Sequence, residues 1–170
     1  MRMQRVLVIG ASGAGKSTLA TRLGQSTGLP VVHLDREYWQ PGWIEPDKPV
    51  WLAKLDHLLA QERWILDGNF GGTLERRLAA CDTAIFLDLP RHLCLWRVLK
   101  RRLRHHGDAR PDMAPGCHER LSLHFLWWIW TYPRRRRPGV LRKLQQLRAD
   151  QTAVVLRSDA EIEDFLAALA

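Results

Sequence analysis

The sequence predicts an α/β domain, a parallel sheet of five strands with helices over both faces. Three observations carry this. Short, largely apolar runs recur at 6–9, 31–34, 64–66, 83–87 and 153–156, as in strands buried on both sides. Segments with apolar spacing of three and four alternate with them, which is the order of a parallel sheet. Residues 10–17, Gly-Ala-Ser-Gly-Ala-Gly-Lys-Ser, fall between the first run and the first helical segment and match G-x-x-x-x-G-K-[ST] in full.

Taken in order, Val6–Ile9 is the first strand, and a helix opens at Gly15 or Lys16 and runs through Leu23. Ser26–Pro30 is a turn, and Val31–Leu34 a strand ending at Asp35. Residues 35–49 read as irregular, with Pro41-Gly42 and Pro46, and Trp51, Leu52, Leu55, Leu58 and Leu59 space a helix over 50–62. Trp64–Leu66 is a strand ending at Asp67-Gly68, Leu74–Ala80 a short helix, and Thr83–Leu87 a strand closed by Asp88 and Pro90. A basic helix spans 91–106, and a loop rich in Gly, Asp and Pro spans 107–116. Helices over 118–131 and 138–149 flank Pro133 and Arg134–Arg137. Ala153–Leu156 is the last strand and Ala160–Leu169 the last helix.

With 170 residues, 46% of them hydrophobic, the chain reads as one domain over 1–170 with a core of ordinary size. No run approaches a bilayer span. Residues 1–4 lead straight into the first strand, so a cleaved signal is not expected and the compartment reads as cytoplasmic. Cys81, Cys94 and Cys117 are odd in number and widely spaced, which argues against a disulfide framework or zinc site and for buried thiols. The net charge of +8 is concentrated between Arg91 and Arg148, where the acids are only Asp108, Asp112 and Glu119. Such a field attracts polyanions, nucleotide and DNA alike.

The loop sets the chemistry. Gly10, Gly13 and Gly15 admit backbone angles that let the amides of Ala11, Ser12, Ala14 and their neighbours converge on phosphate, with the helix N-terminus at Lys16, Ser17 and Thr18 adding its dipole. Lys16 suits the β- and γ-phosphates of ATP, and the Ser17 hydroxyl suits Mg²⁺. In a parallel sheet ligands gather beyond the carboxyl ends of the strands, which singles out Asp35, Asp67, Asp88 and Arg157. Asp67, with no helix signal directly after it, is a candidate to hold Mg²⁺ through water. Asp35 is a candidate to orient or deprotonate an acceptor hydroxyl. Asp88 is a second metal candidate or an N-cap for the helix after Pro90. Tyr38, Trp39, Trp43 and Phe70 suit either a stacking platform or a hydrophobic plug. Arg97, Lys100, Arg101 and Arg104 share a helix face; Arg101 and Arg102 with Arg110 are candidates to close over transferring phosphates. Arg134–Arg137 reads as the return arm of a lid or a nucleic-acid patch. His105, His106 and His118 lack metal spacing, and Phe125–Trp130 reads as helix packing.

Gly10–Ser17, His33-Leu34-Asp35, Trp39–Trp43, Trp64–Asn69, Phe86–Arg91 and Arg110–Met113 together resemble the adenylate-kinase-like proteins called DNA topology modulation proteins, over Arg5 to about Leu141. The resemblance implies a three-layer P-loop nucleotide kinase fold with strand order 2-3-1-4-5, an acceptor-binding region at 35–62 and a helical lid at 101–137, with Asn69 and Phe70, beyond the third strand, joining Asp35, Tyr38 and Trp43 as candidate substrate-binding residues. It implies phosphoryl transfer from Mg-ATP to a small acceptor, and the family's name an effect on DNA. Adenylate kinases follow the third strand with Asp-Gly-Phe-Pro-Arg; this chain has Asp67-Gly68-Asn69-Phe70-Gly71, without the arginine.

Overall fold

A computed structural model describes residues 3–104, 114, 116–117 and 122–169. The strands are β1 (Arg5–Gly10), β2 (Val31–His33), β3 (Trp64–Asp67), β4 (Thr83–Leu87) and β5 (Thr152–Leu156), all parallel in one sheet of order β2-β3-β1-β4-β5. The central strands are the uniformly apolar ones: Leu7, Val8, Ile65, Leu66, Ala84, Ile85 and Phe86 are fully buried, as helices on both faces require.

The helices are α1 (Lys16–Thr27), α2 (Leu34–Tyr38), α3 (Lys48–Leu59), α4 (Leu74–Ala80), α5 (Arg91–Arg104), α6 (Leu123–Arg135), α7 (Arg137–Gln145) and α8 (Asp159–Ala167), with a 3₁₀ turn at Gly71–Thr73 before α4. Among the described residues no helix is long and apolar enough to cross a membrane. Cys81, Cys94 and Cys117 are free and buried; burial pushes the Cys81 thiol up to about 12.

Registers bring one set of ends to a common edge. Val8 lies beside Asp67, which lies beside His33, and Gly10 beside Leu87, beside Leu156. The loop, Asp67, Asp35 two residues past His33, and the β4 and β5 exits therefore gather at the carboxyl edge of the sheet.

Two expectations change. The second strand stops at His33, and Asp35 lies in α2 rather than in an irregular loop. Leu34 is the cause: its side chain is fully buried beneath Gly68, where a Cβ would stand 2.8 Å from its own, so the chain turns inward one residue early. Pro133 and Arg134–Arg135 lie within α6 rather than between helices. The proline removes one backbone hydrogen bond, and burial of Ile129 and Tyr132 carries the helix through it. Of the aromatic run, Phe125 stacks on Trp128, which meets Tyr132 edge-on. Trp127 and Trp130 face outward, with the Arg91 guanidinium 3.7 Å above the Trp130 ring.

Candidate active site

The phosphate-binding loop is folded so tightly against α5 that no side chain fits at Gly13. Gly13 adopts φ +83, and a Cβ there would meet the Cys94 carbonyl oxygen at 2.2 Å. Gly15 is left-handed and caps α1 without a side-chain bond, so the first amides of α1 have no partner within their helix. Ala14, fully buried, turns its N–H back to Ala11 O at 3.1 Å. Ser17 stands in the first turn of α1 and Thr18 is exposed.

Lys16 Nζ donates to Ala11 O at 3.1 Å. Burial holds this ammonium below the ordinary lysine range; Asp35 and Asp67 pull the other way, and Arg101 adds to the lowering. Thus three expected site residues, from α2, β3 and α5, bring charge to bear on the Lys16 of α1. Asp67 is almost fully buried, and its Oδ1 lies 2.9 Å from His33 Nδ1. A cradle with no room for a Cβ at Gly10 or Gly13, a half-buried ammonium bonded to one carbonyl, and a hydroxyl and carboxylate at its mouth fit a magnesium-bound triphosphate. Among the described residues no group of three or more His, Cys, Asp or Glu is placed to hold a metal by itself.

The other expectations divide. Asp88 is not a helix N-cap: both its oxygens accept from Arg137, Nε at 2.7 Å and Nη2 at 2.8 Å, while Arg157 Nε stands 3.9 Å away. It ties α7 to the sheet edge, and the pair raises the Arg137 pKa. Arg157 is exposed. Arg97 gives two hydrogen bonds to Asp159 at the start of α8 and a third, at 3.5 Å, to Ala14 O, bracing the loop from outside. Tyr38 meets Phe70, Trp39 and Trp51 at 4.5–4.9 Å between centroids. Trp43, left-handed at φ 67, packs on Trp39, and both pack against Ala114 and Cys117. These aromatics form one connected cluster, and Trp51 belongs to it although the sequence places it only on a helix face. Arg110, His105, His106, His118 and the Arg104 side chain lie outside the described residues, as does much of the expected lid.

Arg77 is the residue that sequence reasoning missed. It is fully buried, with Nη1 on Gly68 O at 2.9 Å and Nη2 on Phe70 O at 2.7 Å. Burial depresses its pKa to about 10, against the pull of Asp35 and Asp67. It holds the turn after β3 in shape. The available signal was its place between Leu74, Leu78 and Cys81 on the apolar stripe of α4.

The Isopentenyl transferase family matches residues 3–39, the first strand, loop, first helix and α2. Among curated proteins, the uncharacterized protein YqaC of Bacillus subtilis (strain 168) is 31% identical over 135 residues, 76% of this chain and 72% of that protein. In fold the chain is similar to shikimate kinase from Acinetobacter baumannii solved with shikimate (TM-score 0.60, 16% identity, 98% of this chain and 90% of that one). It is also similar to shikimate kinase from Bacteroides thetaiotaomicron (TM-score 0.57, 16%, 99% and 96%) and a gluconokinase from Sinorhizobium meliloti (TM-score 0.52, 18%, 99% and 95%). The fold is that of P-loop kinases.

Proposed function

The chain belongs to one family with YqaC of Bacillus subtilis, and from that premise we propose that it is a phosphotransferase, moving the γ-phosphoryl group of ATP to a small acceptor. One observation carries the reading: strand register sets Asp67 beside Val8, two residues before the loop, and beside His33, two residues before Asp35, so the donor loop and the acceptor-side carboxylate open on the same edge of the sheet.

The amides of residues 10–18 and the Lys16 ammonium bind and orient the triphosphate. Ser17 and Asp67 would hold Mg²⁺, which when bound neutralises charge on the β- and γ-oxygens. His33, on Asp67 Oδ1, fixes that carboxylate's orientation. Asp35 accepts the proton of an acceptor hydroxyl at a carboxylate oxygen. Arg101 balances charge on the group in transit. Arg110, with the remainder of the 101–137 lid, excludes water, and Arg157 borders the nucleotide at the β5 exit. Asn69, with Tyr38, Trp43 and Phe70 of the aromatic cluster, forms the acceptor wall.

The test is acceptor-dependent ADP release from Mg-ATP, screened over nucleosides, nucleotides, sugars and hydroxylated carboxylates, with shikimate and gluconate included. A single acceptor raising release well above background, and losing that effect in Lys16→Ala, is expected. No acceptor doing so refutes the reading. A nucleotide-dependent DNA-associated protein would draw on the basic stretch 91–148, but Arg91, Arg97 and Arg137 there are turned to Trp130, Asp159 and Asp88.

A further inference from the structure

Beyond the carboxyl ends of β1 and β3, a cavity of about 430 Å³ opens between the Gly71–Thr73 turn and helices α6 and α7. Among the described residues its lining holds no acidic side chain, and two of its donor atoms lack acceptors. Arg77 Nε and Asn69 Nδ2 are buried and without hydrogen-bond partners. Arg135 and Arg136 line the same space, and among the described residues neither makes an ion pair. Arg136 Nη1 leans over the turn, 3.9 Å from where a Gly71 Cβ would be. Lys143 is matched, by Glu75.

Buried donors without acceptors, such as Arg77 Nε and Asn69 Nδ2, are unfavourable unless a bound group completes them, and the exposed Arg135 and Arg136 place two positive charges side by side on the same space. Planar guanidinium forks match carboxylate and phosphate oxygens two at a time. We propose that this cavity seats an anionic group of the phosphoryl acceptor, a carboxylate or a phosphomonoester. Arg135 and Arg136 carry the opposing charge, and Asn69 Nδ2 and Arg77 Nε complete the shell. The side-chain-free turn at Gly71-Gly72 leaves room for the acceptor's body against backbone. The cavity also lies close to the donor loop, since Ile9 of the lining directly precedes that loop and Asn69 follows Asp67 by two residues. An acceptor anchored there can present a hydroxyl toward Asp35, since Leu34, the residue before it, packs beneath Gly68, the residue before Asn69. The assignment rests on the phosphotransferase reading for what the anion belongs to, but its test reads binding rather than turnover.

The full chain is saturated with ADP and Mg²⁺, so that the phosphate-binding loop is filled. Glycerol, D-glycerate and glycerol 3-phosphate are then titrated by calorimetry and by melting temperature. Either anion binds and raises Tm while glycerol does not, and the stronger of the two tells carboxylate from phosphate. Arg135→Gln with Arg136→Gln weakens that anion about tenfold or more, while the ADP-induced rise in Tm persists. Arg77 is too deep for a clean variant, since its loss also strands two carbonyls. The proposal is overturned if neither anion binds, if glycerol matches them, or if the double variant binds the anion as tightly as the parent. Anion binding of this pattern without any acceptor-dependent ADP release leaves the cavity assignment standing and removes the phosphotransferase reading.

Discussion

Gly13→Ala tests whether the phosphate-binding loop is shaped by its contact with α5. At φ +83 an alanine is already in the left-handed region, at about 1–2 kcal/mol. Its Cβ would stand 2.2 Å from the Cys94 carbonyl oxygen and 3.0 Å from both Cys94 C and Val98 Cγ2, an approach carbon atoms do not make. The oxygen belongs to the first turn of α5, whose Cys94 N–H is bound to Pro90 O, and Cys94 and Val98 are fully buried. Loop or helix must therefore shift by about 1 Å, adding about 1–3 kcal/mol of overpacking for a total of about 2–5 kcal/mol. Gly15→Ala is the control: it shares the backbone penalty at φ +94, but its nearest neighbour is Arg97 Nη1 at 3.8 Å, so about 1–2 kcal/mol is expected. Urea unfolding of the nucleotide-free chain gives both values from the midpoints at equal slope. Losses agreeing within about 0.5 kcal/mol would refute the steric account and leave only a backbone preference.

Lys16→Met removes a desolvated ammonium. It should weaken binding of a fluorescent ADP analogue by at least about thirtyfold, yet stabilise the ligand-free fold at pH 7. Because the folded-state pKa lies below the unfolded one, the unfolded chain binds the proton more tightly, so wild-type stability rises with pH toward the ordinary lysine range and the variant's advantage shrinks. Equal or growing advantage at higher pH contradicts this. For Asp67→Asn, the tightening of ADP binding by Mg²⁺ disappears while binding in EDTA remains, and an unchanged Mg²⁺ effect would take Asp67 away from the metal. Arg137→Gln leaves Asp88 without its two-bond partner and lowers stability by about 1–2 kcal/mol. Arg22→Gln, at the exposed pair with Glu163, costs measurably less, because water screens that pair; equal losses would remove the special place given to Asp88.

Most of the sheet is legible because buried parallel strands need unbroken apolar runs, and α4 and β4 begin and end where the residue pattern places them. The loop is legible because its glycines are required by geometry. What stays hidden depends on partners far along the chain. Leu34 looks like one more strand residue until Gly68 makes room beneath it. Asp88 looks like a cap because Arg137, its partner, is 49 residues away. Arg77 sits next to Arg76, and two charges on a short helix read as solvated. Only Arg76 is so, pairing with Asp56 at the surface, whereas Arg77 is drawn under the turn by two carbonyls. In the candidate site, Lys16, Asp35, Asp67 and Arg101 were each nameable, but their convergence on one ammonium follows from strand order and register.

The strand order also has a consequence in time. β1 is made first and lies in the middle, yet Arg5 pairs with Trp64 and Val6 with Thr83. At roughly 5–20 residues per second of synthesis, Leu7 and Val8 spend several seconds as an apolar strand with both edges unpaired. The second edge of β1 is covered only when β4 has followed β3 off the ribosome, so a strand that ends with a neighbour on each side spends its first seconds open to association with other chains.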